Sequence, residues 1–229
     1  MKTAPGTQRP RLLRHHRIAT LSILAALVLL SGPAADALHA KRRAADPARS
    51  WDAVYLVCGA RAQQRRLGAL TRWMENSPHP PPLILVGNDS QQSLWSSPHQ
   101  RNLTRAEWGM IALQEWVGHR DGQGTAAPQV RLVPGSFSNT DGEMQALAEA
   151  LRLAPELRRV AIVTCRFHTR RALRRLDART PPGLVIAAVP GPVSWEDRAP
   201  WIVAGEYIKL LRDALGYAQA PFLSRPPTD

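Results

Sequence analysis

The chain predicts a doubly wound α/β domain, and three features predict it. Five short apolar runs rich in β-branched residues recur along it, at 53–57, 83–86, 130–133, 159–164 and 184–189. Each is followed by a stretch with helical spacing of its apolar residues, at 63–75, 104–117, 141–153, 168–178 and 200–215. The runs are nearly continuous rather than alternating, as in strands covered on both faces. Strand–helix units in series build a parallel five-stranded sheet between two helical layers, a three-layer sandwich. Right-handed crossovers leave few strand orders. A Rossmann-like 3-2-1-4-5 order is expected, preceded by an N-terminal apolar helix.

The elements divide the chain into a basic tail (1–17), an apolar segment (18–37), a linker (38–50), the α/β domain (51–216) and a Pro-rich tail (217–229). Net charge is +12, of which the first fifty residues supply +7 through nine Lys/Arg against two acids. The domain itself is only mildly basic and lacks a nucleic-acid motif, so nucleic acid is not an expected partner. Arginines 9, 11, 14 and 17 precede the uninterrupted apolar run 18–30, and Ala35 and Ala37 form an Ala-x-Ala. These are the parts of a secretory signal. A retained membrane anchor stays equally open, although the run is short of the ~20 residues of a full span. Both readings put the domain outside the cytoplasm, either on the periplasmic side of the inner membrane or secreted.

The strand ends carry the chemistry, because ligands of open α/β sheets sit beyond the carboxyl ends of the strands. The first strand closes on Cys58-Gly59-Ala60, which is not a G-x-G-x-x-G fingerprint and argues against NAD or FAD. No other cofactor is indicated. Gly59 permits close backbone approach to a ligand, or simply turns the chain. The second strand closes on Gly87-Asn88-Asp89, small and polar residues that suit a ligand-facing loop or a plain turn. After the third strand, Asn139 and Thr140 precede a helix. Either side chain is placed to cap it, with Glu143 at capping-box spacing from Thr140.

The fourth strand end is the most informative. Thr164-Cys165-Arg166-Phe167-His168 leads into an arginine-rich helix, with His168 and Arg171 three residues apart and therefore on one face. His168 suits acid, base or anion-donor work. Arg171 offers a planar fork for phosphate or carboxylate. Arg170, Arg174, Arg175 and Arg179 read as a solvated face, and Glu206 on the last helix is ordinarily a surface residue. Asp89, Glu143 and His168 are candidate catalytic groups, but their spacing demands no metal. Cys58 and Cys165 each close a strand, and the expected order makes those strands neighbours. A disulfide is open, with two buried free thiols as the default.

These strand ends together resemble the YdcF/SanA/ElyC family of bacterial envelope proteins, over roughly residues 51–216. The best-matching run is Val163-Thr164-Cys165-Arg166-Phe167-His168-Thr169-Arg170-Arg171-Ala172-Leu173, similar to the family's strand, polar turn and H-x-x-R-A helix start. The Arg166-Phe167-His168 trio is most like the SanA branch. Leu83 through Asp89 is similar to the family's second-strand glycine loop, and Ser138-Asn139-Thr140 to its Asn-Thr before a helix. Glu206 resembles a late glutamate near the same pocket. The chain departs in keeping one glycine after the first strand, in placing Gly142 at an acidic position, and in having Cys165 where Ser or Gln is usual. The resemblance implies a Rossmann-like domain serving envelope integrity or cell-wall precursor metabolism. The implied site joins Gly59, Gly87, Asn88, Asn139, Thr140, Thr164, Arg171 and Glu206 to the candidate catalytic groups.

Three functions stay open at this stage. The first is an exported or membrane-anchored protein binding an anionic, phosphorylated or lipid-linked small molecule. The second is a hydrolase or transferase with His168 as acid/base. The third is a scaffold whose strand-end residues satisfy one another.

Overall fold

A computed structural model describes residues 34, 37, 43–58, 63–90, 92–121, 127–135, 137, 139–189, 191 and 199–215. The apolar helix expected over 18–37 falls outside them except for Ala34 and Ala37. Gly59 and the tails 1–17 and 217–229 also lie outside the described residues. Among the described residues no helix is long and apolar enough to cross a membrane.

Five parallel strands form the central sheet: β1 (Ala53–Leu56), β2 (Leu83–Val86), β5 (Gln129–Leu132), β6 (Arg159–Val163) and β7 (Val185–Val189). Their order is β5-β2-β1-β6-β7, the expected 3-2-1-4-5 arrangement. All four neighbouring pairs are parallel, with Tyr55 opposite Leu85 on one side and Ile162 on the other. Because side chains alternate across a strand, β1 feeds two cores. Val54 and Leu56 pack with Leu70, Trp73 and Met74 of α1 (Gln63–Glu75) and Leu113 of α2 (Arg105–Asp121). Ala53 and Tyr55 face Met144 and Leu147 of α3 (Thr140–Leu153) and Leu173 and Leu176 of α4 (Thr169–Asp177). The result is helix, sheet, helix.

The last helix, α5 (Pro200–Ala214), is held differently. Its buried apolar residues are only Val203 and Leu210, packed with Phe167 and Ala34. The main ties are ion pairs to α4: Arg171 to Glu206, and Arg175 to Asp213 through two N–H donors at 2.9 and 2.7 Å. Arg175 is therefore not part of a solvated face, as the sequence suggested, but is 8% exposed. Burying its stem and pairing its head satisfies the helix–helix seam. Arg170 and Arg174 are exposed as expected.

Two further departures from the sequence reading have local causes. An antiparallel ribbon, β3 (Gln92–Ser96) with β4 (Arg101–Thr104), projects between β2 and α2. Its strands are short and mostly polar and carry no apolar run, so strand patterning never marked them; Leu103 is buried and Trp95 is 60% exposed. The stretch expected to be linker packs onto the domain from Arg43 onward. Ala44 bridges Ala188, and the carbonyl of Ala45 accepts the Trp73 indole N–H at 3.2 Å.

Both cysteines are free and buried, although their strands are neighbours. The Cys58 thiol turns toward β2 and donates to the Gly87 carbonyl at 2.8 Å. The Cys165 sulfur instead accepts two N–H groups of Arg66, each at 3.1 Å. Each sulfur thus has its own partner, on opposite sides of β1. Thiol labelling of denatured, unreduced protein is expected to find both cysteines reactive, and loss of both labels would show a bridge.

Candidate functional site

At the carboxyl ends of β1 and β2 a buried carboxyl group organises the chain. Asn139 caps α3, its side-chain oxygen accepting the N–H groups of Asp141 and Gly142 at 3.0 and 2.9 Å. That cap fixes the first turn and aims Glu143 inward. Glu143 Oε1 accepts the Cys58 backbone N–H at 2.8 Å and the Tyr55 hydroxyl at 3.0 Å. It does not close a capping box with Thr140. A capping box does form at Thr104 and Glu107, where Thr104 Oγ1 accepts the Glu107 N–H and the Glu107 carboxylate accepts the Thr104 N–H.

Gly87 has a defined steric role here. A Cβ on it would lie 2.5 Å from Glu143 Oε1 and 2.7 Å from the Tyr55 hydroxyl. The glycine expected to face a ligand makes room for the protein's own carboxyl group. Asn88 donates to the Gly135 carbonyl at 2.6 Å, tying the loop after β2 to the loop after β5. Asp89 is 5% exposed, accepts Arg105 at 3.0 Å and bridges to Phe137.

Glu143 is 3% exposed. Burial pushes its pKa up to about 7, against the pull of the Cys58 N–H, Arg66 and Tyr55. The carboxyl group is therefore poised between its two protonation states near neutral pH. Burial, then the adjacent Glu143, pushes the Cys58 thiol up to about 12. Cys58 is a neutral hydrogen-bond donor rather than a nucleophile.

A second cluster stands at the end of β6. A 3-10 turn (Arg166–His168) leads into α4 and leaves His168 at its N-terminal boundary. The Arg171 Nε donates to Glu206 Oε2 at 2.9 Å, and its Nη2 lies 2.9 Å from His168 Nδ1. Arginine has no acceptor, so Nδ1 accepts and the ring proton sits on Nε2. Glu206 Oε2, 3.2 Å from Nδ1, then shares the same guanidinium. Burial draws the His168 pKa down to about 4, more than the neighbouring carboxylate lifts it. The imidazole is neutral at physiological pH, with an Nε2–H donor.

Glu206 is 2% exposed, not the surface residue its helix position suggested. Burial opposes its ionisation, but His168, which is protonated below about pH 4, together with Arg171 and Lys209 holds it below the ordinary carboxylate range. Lys209 completes the set, donating to Oε1 at 2.7 Å. Arg171 is thus committed to Glu206 and His168; it holds the histidine in place rather than presenting a free fork.

Arg66 lies between the clusters, and sequence reasoning missed it. It is 6% exposed on the inner face of α1. Its Nη1 donates to the Val57 carbonyl at 2.8 Å, and its other donors reach the Cys165 sulfur. Among the described residues no carboxylate lies within salt-bridge distance of it. Its charge nonetheless lowers the pKa of both Glu143 and His168, so it acts on both clusters. The available signal was its spacing: Arg66, Ala69, Leu70 and Trp73 share one apolar stripe.

Thr164, at the end of β6, is 3% exposed, and its hydroxyl has no hydrogen-bond partner among the described residues. An unmade buried hydrogen bond costs roughly 1–3 kcal/mol, so a partner outside the described residues would be favoured there. Thr140 opens α3 half-buried, and the cap is made by Asn139 instead. Asn139, Gly87 and Asn88 thus have structural partners, whereas Glu143, His168, Thr164 and Arg66 combine buried polar chemistry with the sheet's carboxyl edge. A separate groove of about 450 Å³, along Arg43, Trp51 and the first half of β7, opens at the other edge, away from these groups. Among the described residues no group of three or more His, Cys, Asp or Glu is placed to hold a metal ion. Comparison with protein-family models, curated proteins and solved structures finds no match.

Two predictions follow from the titrations and the packing. Glu143, its folded pKa raised from 4.5 to about 7, adds stability that is full below pH 4.5 and lost as pH rises through 7. His168, lowered from 6.5 to about 4, adds stability that is full above pH 6.5 and lost as pH falls through 4. Each swing is about 3 kcal/mol, and they oppose one another. Urea unfolding between pH 4.5 and 7.5 should show stability rising with pH in Glu143→Gln and falling in His168→Gln, with the parent flatter than both. Gly87→Ala should cost about 1–3 kcal/mol by overpacking, measured by the same unfolding at pH 7; a neutral result would mean Glu143 moves aside freely.

Proposed function

We propose that this domain binds an anionic, phosphate-bearing small molecule or lipid-linked precursor at the carboxyl edge of its sheet. The protein is an exported or membrane-anchored member of the YdcF/SanA/ElyC type, serving barrier integrity or cell-wall precursor metabolism. The observation that carries the binding reading is Arg66, a buried guanidinium with no carboxylate in contact among the described residues. A buried charge without a counter-charge is costly, and an anion at this edge offsets that cost. The Thr164 hydroxyl and the His168 Nε2–H add two neutral groups suited to phosphate oxygens. The resemblance of residues 163–173 supports the envelope role, and the basic, apolar N-terminal sequence supports export or anchoring.

One observation favours a second reading, a hydrolase or transferase acting on such a precursor. Glu143, with its pKa near 7, matches what a general acid or base needs at neutral pH. His168, neutral down to about pH 4, fits hydrogen-bond donation better than proton abstraction. Glu143 therefore takes the proton-transfer role in that reading.

Calorimetric titration of the full chain in detergent with inorganic phosphate, a nucleoside-diphosphate sugar and a polyprenyl phosphate tests the binding reading. Arg66→Gln is expected to weaken binding by at least about tenfold, as for loss of a charge-assisted contact. Thr164→Val, closer in shape, is expected to weaken it several-fold without lowering the unfolding midpoint. Parent-like affinity in both variants would remove the assignment. Turnover of a phosphoester by the parent that is lost in Glu143→Gln would select the second reading.

A further inference from the structure

Helix α5 has two apolar faces, and the domain covers only one. Val203, Glu206 and Leu210 point inward. Trp201, Ile208, Leu211 and Leu215 are 71%, 67%, 61% and 65% exposed, and Tyr207 is 38% exposed beside them. At 100° per residue these five side chains fall within an arc of roughly 120°. Arg212 and Lys209 follow that stripe along one border, and Arg170 and Arg174 are exposed on neighbouring α4. An apolar stripe carrying Trp and Tyr, flanked by basic side chains, is the pattern of a helix lying in a membrane interface.

The chain's own path indicates which surface covers it. The apolar run 18–30 ends four residues before Ala34. The Ala34 carbonyl accepts the Tyr207 hydroxyl at 3.1 Å, and Ala34 packs against Val203 and Leu210. The segment that would enter a bilayer therefore connects to the domain at α5 itself. We propose that the exposed stripe of α5 rests on the lipid surface of the membrane that residues 18–30 enter, which fixes the domain's orientation on it. This inference rests on the anchored reading of the N-terminal segment.

The test uses full-length protein in vesicles of phosphatidylglycerol and phosphatidylethanolamine, with and without brominated acyl chains. The emission of Trp201 is isolated by subtracting Trp201→Phe from the parent. Brominated lipid should remove roughly half of it, as for a ring seated about 5–10 Å into the headgroup boundary. Ile208→Trp should add a quenched component, and Arg72→Trp, exposed on α1 across the sheet, an unquenched one. Leu27→Trp reports on the anchor. If it is quenched while Trp201 and Ile208→Trp are not, the α5 proposal fails and the anchor stands. If Leu27→Trp is also unquenched, both fail. Emission from Trp201 that is unquenched and shifts with protein concentration would assign the stripe to a second copy of the chain and overturn the proposal.

Discussion

The Glu206 carboxylate is the contact on which the far side of this domain depends. It sits 2% exposed among Arg171, His168 and Lys209, and the Arg171 contact has two consequences. Through Arg171 it joins α5 to α4, a seam with few apolar contacts of its own. Through the same guanidinium it sets which nitrogen of His168 carries the proton. Removing one partner of a buried pair costs about 3–5 kcal/mol, so the histidine's geometry and the docking of α5 stand or fall together. Helix docking and site chemistry thus share one charge.

The opposite cluster works by exclusion rather than pairing. Glu143 is kept from water by Tyr55 and Cys58 above β1, in space that exists only because residue 87 lacks a side chain. Low polarity raises its pKa, while the buried Arg66 restrains the rise. Arg66 exerts a matching influence on His168. One buried cation therefore adds to the electrostatics of two strand ends that burial dominates, and the proposed anion would be its counter-charge. An occupant at Arg66 would weaken the guanidinium's pull on both groups, and so link binding to their protonation.

Most of the fold was legible in the sequence because burial on both faces writes a continuous apolar run. That is why the five sheet strands and five principal helices emerge with ends displaced by a residue or so, except that α2 runs on to Asp121 rather than ending at Val117. The β3–β4 ribbon was not legible, since its short, mostly polar strands carry no such run. The capping box was legible at Thr104 and Glu107 but was read at Thr140 and Glu143, where the spacing is identical. Spacing cannot tell a carboxylate that turns back to its own helix from one drawn into a neighbouring strand end. Arg175 and Glu206 were misread for a similar reason: Asp213 and Arg171, the partners that bury them, lie more than thirty residues away, on a helix whose docking the local pattern does not record.

By itself the sequence determined the architecture, the residue types at each strand end, and the histidine and arginine placed one helical turn apart after β6. These follow from local periodicity and from chain direction, which brings every parallel strand's carboxyl end to one edge. Only the tertiary structure decided what those residues do for one another. It committed Arg171 to Glu206, gave Asn139 to a helix cap, and separated the two thiols onto different partners. It also brought forward Arg66 and Glu143, because desolvation and charge compensation depend on what surrounds a group in space, and no stretch of sequence contains its own surroundings.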